Sequence, residues 1–458
     1  MSSKVDEVRS THTHTHTHTS THTKLTSTKK KKQEHARKYT GLTRTIKLIH
    51  VGTTTSWESV SEDVFKDIQD TKNVGLYDML RKDKTTPLPK WSEADSVRDA
   101  IEKDIATFER KIDMARNDRE EEMDFQIKCG DYMMNRYLLQ EASLKFARAL
   151  EIARSVQGSN QKSIETMKKL MVACAVAKVR CRSLDMEIRN VTSDIQDEDK
   201  RMNVVSYLKA GQAVVSMCSG DYRSAANLFC DPSCSIAMKD SFKELVLAEN
   251  VSIYGSVCAV AEFSRSEMRK RLIENDVFKD FLDSSPNARD LCDAYFSSDY
   301  TKCMSALDKI ETICNADALI ASHWPRLKEK ILDNMMIQYF RPFSRASMKE
   351  MSKAFGMSMD EIETRASKLI VAKKMAARID SQNKIMIAKH VDERTETFDR
   401  ILTNGEAFVA DVQTAMLRLS LRESGLHLKQ QRNQSRGMMN MMPGGMGRMF
   451  GRNNRRGF

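Results

Sequence analysis

Ala377-Arg378-Ile379-Asp380, then Ser381-Gln382-Asn383, then Lys384-Ile385-Met386-Ile387-Ala388 is the stretch on which the fold turns. Two short runs flank a polar turn, so the segment reads as a β-hairpin. Three helices lead into it, over 327–340, 347–355 and 359–371, separated by Arg341-Pro342 and Gly356-Met357. The second and third open on Ser347 with Glu350 and on Ser358 with Glu361, capping-box pairs that satisfy the free N–H groups of a first helical turn. Three helices followed by a hairpin make a winged helix, and its span is read as 321–393.

A winged helix that reads DNA places the start of its third helix against base edges. Here that end carries Asp360, Glu361 and Glu363, whose carboxylates repel phosphates. The module is therefore read as a protein contact, and nucleic acid is not expected as a partner. Beyond the wing, Phe398, Ile401, Gly405, Phe408, Val412, Ala415 and Leu419 recur at alternating steps of three and four, which makes a heptad stripe on one long helix, 394–423. Such a seam must be covered, and its place after a complete module favours a helix of another chain.

Upstream, 39–320 has the texture of a helical repeat. Val97, Ile101, Ile105, Phe108 and Ile112 trace one helical face. Gly130, Ala142, Phe146 and Ala149 match the small and aromatic positions of a tetratricopeptide-like helix pair, and Ala225 with Phe229 repeats part of that pattern after the turn Gly220-Asp221-Tyr222. Two divergent copies predict an irregular solenoid rather than a regular array. The fold class is thus mainly α, a tetratricopeptide-like solenoid followed by a winged helix with a small hairpin and a long C-terminal helix. Only 7 prolines and 17 glycines in 458 residues agree with so much helix. The stretch 82–90, with Pro87 and Pro89, reads as a linker.

The net charge of +11 lies at the ends. Residues 1–38 hold nine Lys or Arg against three acids, and residues 424–458 hold seven against none, which leaves about −2 for the body. Both ends are low in apolar residues and rich in Thr, His, Lys or in Met, Arg, Gly, so both are expected to be disordered. The longest apolar runs, 170–179 and 251–261, are shorter than the roughly 20 residues of a membrane span. Residues 1–20 are polar and carry no secretory signal, so no membrane partner and a cytoplasmic and nuclear location are expected.

Catalytic and metal-binding patterns are not found. The ten cysteines are scattered as reduced thiols would be. Cys230 and Cys234 alone approach a ligand spacing, but Asp231-Pro232-Ser233 between them reads as a turn and no second pair follows. The Thr-His repeat invites a test against the zinc isopeptidase pattern, His-x-His followed at fixed distance by Ser and Asp. The three registers supply His22 and Leu25, Lys24 and Ser27, or Thr26 and Lys29, and none fits. His50, His323, His390 and His427 are isolated, so no cofactor, no metal and no enzymatic activity are expected.

Five stretches carry a family resemblance: Tyr39-Thr40-Gly41-Leu42; Ile253-Tyr254-Gly255 with Cys258-Ala259; Gln338-Tyr339-Phe340 with Pro342; Arg378-Ile379-Asp380-Ser381; and Val391-Asp392-Glu393-Arg394-Thr395-Glu396-Thr397-Phe398. With the helical repeat and winged helix, they make a chain that resembles the PCI family, shared by the proteasome lid, the COP nine (constitutive photomorphogenesis) signalosome and the initiation factor three complex. Val391, Asp392, Arg394 and Phe398 bring the resemblance nearer the signalosome than the lid. The resemblance implies a non-catalytic scaffold that supports removal of the ubiquitin-like modifier Nedd-eight from cullins. Its implied partners are other PCI and metalloprotease-like subunits and, through the complex, cullin-RING ligases; a lid subunit or an RNA-associated translation-initiation scaffold are the alternatives. It further implies that Lys384, Ile385, Met386, Ile387 and Ala388 lie near an edge where winged helices pair, and that the stripe from Phe398 to Leu419 enters a helical bundle.

Overall fold

The computed structural model describes residues 32–83, 85–156, 160–181, 184–193, 195–234, 242–389 and 393–425. They divide into two units, one ending at Lys389 and one beginning at His390. The Thr-His repeat and most of the Met/Arg/Gly-rich tail lie outside the described residues.

The first unit begins earlier than the composition implies. Residues 32–37 are helical and Ala36 is buried, because this turn is already part of a small apolar cluster. Helices Gly41–Thr54, Ser61–Thr71 and Val74–Lys82 complete that cluster around Leu48, Val60, Ile68 and Tyr77. The proline-containing stretch after them is no free linker. Trp57 Nε1 donates to the Pro87 carbonyl at 2.9 Å and the Tyr77 hydroxyl to that of Pro89 at 3.1 Å. Proline removes donors but leaves carbonyls, and here the carbonyls anchor the chain.

From Ala94–Met114 onward the chain is a series of antiparallel helix pairs. In the first, Arg119–Asn135 against Leu139–Ala153, a Cβ added to Gly130 would stand 2.6 Å from the Phe146 ring. The glycine is what lets the aromatic ring reach the backbone of the facing helix. The same device recurs at Gly211 beneath Phe242 and at Gly255 beneath Phe278. Ala225 and Phe229 are buried in the later pair, as the partial repeat predicts. Between 264 and 284 the chain is not one continuous helix. Arg265–Met268 opens on a Ser264 capping box, passes into a five-residue π-helical turn at Arg269–Ile273, and a separate helix Asp276–Ser284 follows.

The winged helix consists of Trp324–Phe340, Met348–Phe355 and Met359–Val371, with strands β1 (Arg345–Ser347), β2 (Ala377–Asp380) and β3 (Ile385–Ala388). It is no separate body. One continuous core runs from Ile112 to Met386 through repeat and wing alike, and helix Trp324–Phe340 is tied to helix Ala248–Glu262 by Lys330 Nζ to Glu262 Oε1 at 2.5 Å and Asn334 Nδ2 to the Ala261 carbonyl at 2.9 Å. The Ser358–Glu361 capping box forms. That of Ser347 and Glu350 does not, because Ser347 is the last residue of β1 and pairs with Ile385. Among its described residues the second unit has one helix, Glu393–Glu423.

Candidate assembly surfaces

The sheet order is β1-β3-β2, antiparallel throughout. The hairpin read from the sequence is β2 and β3, and β1 is the strand that the sequence does not reveal. Three residues ending in Ser show no alternation to recognise. Its presence moves β3 from the edge to the centre. Ile385, Met386 and Ile387 each have a partner on both sides, and Ala388 pairs with Ala377 while its N–H reaches the Ser344 carbonyl at 2.8 Å. The expectation that Lys384 to Ala388 lies near a pairing edge is thus corrected in one respect, since β3 is the central strand, its backbone groups are already used, and Met386 is 0% exposed. The free edges are β1 and β2. By the alternation of an antiparallel ladder, Ala377 and Ile379 turn their backbone groups outward from β2, where Ala377 is buried and Ile379 half-buried, and the exposed Arg345 does so from β1.

Lys384 has a different task. It sits in the turn with φ +52°, and its Nζ is 2.8 Å from Glu363 Oε2, while the Ser381 hydroxyl donates to the same carboxylate. These bonds hold the Glu363 carboxyl below its ordinary value. They tie the third helix to the wing, so an acid that a reading of DNA contact would place against phosphate is occupied inside the module.

On helix Glu393–Glu423, Phe398, Ile401, Phe408, Val412 and Leu419 are between 41% and 69% exposed, and Gly405 and Ala415 are exposed as well. An added Cβ at Gly405 meets nothing within 4 Å. Leu402, Val409 and Met416, also exposed, form a second line at steps of seven beside the first. A face with three apolar positions per heptad is wider than the two-position seam of a simple coiled coil.

A buried polar cluster joins two of the stretches that carry the family resemblance. Lys47 Nζ lies 2.7 Å from Asp317 Oδ1 and 4.1 Å from the centre of the Tyr39 ring. The Tyr254 hydroxyl and Asn250 Nδ2 donate to Asp317, and Asn250 also donates to the Tyr39 hydroxyl. Burial lowers the Lys47 ammonium. All these groups satisfy one another, so the cluster is a clasp between the N-terminal helices and the solenoid rather than a reactive centre. Nothing in the sequence pairs Lys47 with Asp317, 270 residues apart.

Cys230 and Cys234 are buried free thiols, raised by burial, Cys234 to about 12, which keeps them protonated and poor as ligands or nucleophiles. Among the described residues no group of His, Cys, Asp and Glu could hold a metal ion. No helix among them is long and apolar enough to cross a membrane. His323 accepts or donates at Nδ1 with the Tyr222 hydroxyl at 3.0 Å, and His50 Nε2 lies 2.9 Å from the Asn315 carbonyl, both packing roles.

A family model described as the PCI domain matches residues 307–390, and one described as 26S proteasome subunit RPN7 matches residues 91–271. The chain is 33% identical over 240 residues to COP9 signalosome complex subunit 1b of Drosophila melanogaster, covering 52% of this chain and 45% of that one. It is 33% identical over 211 residues to COP9 signalosome complex subunit 1 of Arabidopsis thaliana, covering 46% and 47%. These matches span about half the length of either relative. A third, COP9 signalosome complex subunit 1 of Emericella nidulans, is 22% identical over 421 residues, covering 87% and 83%.

Proposed function

We propose that this chain, which carries a PCI domain and is a relative of COP9 signalosome subunit 1 proteins, is a non-catalytic scaffold subunit of a COP9 signalosome. In that role it supports the removal of Nedd-eight from cullins by another, metal-bearing subunit, and through the complex it meets cullin-RING ligases in cytoplasm and nucleus. The observation that carries the scaffold reading is the exposed apolar face of helix Glu393–Glu423. Leaving so many large apolar side chains in water costs about 1.5–3 kcal/mol each relative to burial. Partner helices remove that cost, and the width of the face fits a bundle of several helices better than a pair. The free edges of β1 and β2 support strand-by-strand pairing of winged helices on either side of this one. Lys384, Ile385, Ile387 and Ala388 then act as the spine of the sheet that holds those edges, with any partner contact made by side chains.

A second reading, a subunit of the proteasome lid, is favoured by the match of residues 91–271 to a 26S proteasome subunit model. Affinity purification of the tagged chain from its own cells, followed by mass spectrometry, separates the two. Signalosome companions, with cullin deneddylation activity in the eluate, are the expected result. Lid and proteasome base subunits in their place would overturn it.

A further inference from the structure

The outer face of the three-stranded sheet carries a row of side chains distinct from the strand edges. Arg345 of β1 and Arg378 of β2 both stand directly opposite Ile387 of β3, so the three side chains form one row across one face. The next row on that face is Ser347, Ile385 and Asp380. Ala346, Met386 and Ile379 occupy the other face, toward the core. Lys389 continues the outer face two residues beyond Ile387. Arg345, Arg378 and Lys389 are exposed, Ile385 and Ile387 are half-buried, and among the described residues none of these three cations has a carboxylate partner.

The surroundings reinforce that charge. From Trp324 to Lys389 there are fourteen Lys and Arg against seven Asp and Glu, although the body as a whole is slightly acidic. Four of the fourteen are spent on ion pairs, Lys328 with Glu311, Lys330 with Glu262, Arg365 with Asp333 and Lys384 with Glu363. The basic excess is left on the surface of this module.

We propose that the outer face of the sheet docks an acidic helix of a partner protein, one with carboxylates seven residues apart and an apolar side chain between them. Two strand spacings place Arg345 and Arg378 roughly 10 Å apart, with Ile387 midway. A helix rises about 1.5 Å per residue, so positions i and i+7 lie about 10.5 Å apart on one face. Carboxylates there meet the two guanidinium groups as charge-assisted hydrogen bonds, and an apolar residue at i+3 or i+4 rests on Ile387. A nucleic acid fits less well. Its phosphates would continue along the face toward Asp380 and toward the Glu363 carboxylate at the wing turn, which repel them. The inference holds for any assembly that the chain joins, so it stands or falls separately from the signalosome reading.

The test uses the full chain and four fluorescein-labelled probes in a buffer of about 50 mM salt: a helical peptide with Glu at i, i+7 and i+14 and Leu at i+3 and i+11, the same residues scrambled, the patterned peptide with Lys in place of Glu, and a short RNA duplex. The patterned peptide is expected to bind by fluorescence anisotropy, the scrambled one at least about tenfold more weakly. Arg345→Glu with Arg378→Glu is expected to abolish binding, and a patterned peptide with Lys in place of Glu to bind that variant instead. Both side chains are exposed, and circular dichroism checks that the variant keeps its helix content. Arg345→Gln with Arg378→Gln should weaken binding in the same direction by less. Equal binding of patterned and scrambled peptides, binding unchanged in the double variant, or an RNA duplex that binds more tightly than the peptide and is lost in the variant would each overturn the proposal.

Discussion

Lys47 is the residue whose environment departs furthest from what its chemistry prefers. Its ammonium is nearly withdrawn from water, a state that costs several kcal/mol unless a partner charge and hydrogen bonds compensate. Asp317 supplies the charge, and Tyr254, Asn250 and the Leu319 N–H complete the shell around that carboxylate. Removing one partner strands the other. Lys47→Met is therefore expected to lower unfolding free energy by about 3–5 kcal/mol in urea titrations. Adding Asp317→Asn should recover at least about half of it, since the amide oxygen can still accept the remaining bonds while the charge is gone. The pair also imposes a pH dependence. Burial by itself raises the Asp317 carboxyl, but the Lys47 ammonium and the hydrogen bonds outweigh it and hold the group below its ordinary value. The unfolded chain then binds the proton more readily than the folded one, so stability is full above the unfolded carboxyl value near 3.9 and falls as pH drops through the folded value. The urea midpoint is expected to fall as pH drops below about 4, toward and through the folded value, and to fall by less in Lys47→Met/Asp317→Asn.

Among the elements, the helix pair at Gly130 shows how a sequence pattern becomes packing. The spacing of Gly130, Ala142, Phe146 and Ala149 made the pair legible because small and aromatic residues at complementary positions have few other reasons to recur. Gly130→Ala gains roughly 0.5–1 kcal/mol of helix propensity, but its methyl group enters the Phe146 ring, which is fully buried and has nowhere to move. Overpacking of this kind costs about 1–3 kcal/mol, so a net loss is expected in thermal melting, relieved in Gly130→Ala/Phe146→Leu. The long terminal helix behaves oppositely. Its apolar face is on the surface, so Phe398→Asp with Phe408→Asp should leave helix content and melting of the rest of the chain unchanged while co-purification with partner subunits is lost. Retained assembly would remove the bundle role. Strand β1 was illegible for a physical reason: three residues make too few side-chain alternations, and what holds them is the ladder to β3, a contact about 40 residues away in the chain.

At the scale of the whole molecule, one core extends from the solenoid through the wing, and the unit that ends at Lys389 is expected to fold without the remainder. A chain truncated after Lys389 should melt within a few degrees of the full chain and yet fail to join its assembly; loss of cooperative melting would show that the terminal helix also stabilises the body. Summed over the body, the sequence is near neutral, and only the boundaries of the folded module expose the basic excess between Trp324 and Lys389. Periodicity, capping signals and the low count of glycine and proline determined by themselves that the chain is a helical repeat ending in a winged helix, because these depend on neighbours within a few residues. The tertiary structure alone decided three things: that β3 is central rather than an edge, that Lys47 finds Asp317, and that Arg345 and Arg378 share a row with Ile387. Each depends on pairing across tens to hundreds of residues, where local preference carries no information and the choice is made by which backbone groups, charges and apolar faces remain to be satisfied once the helices have packed.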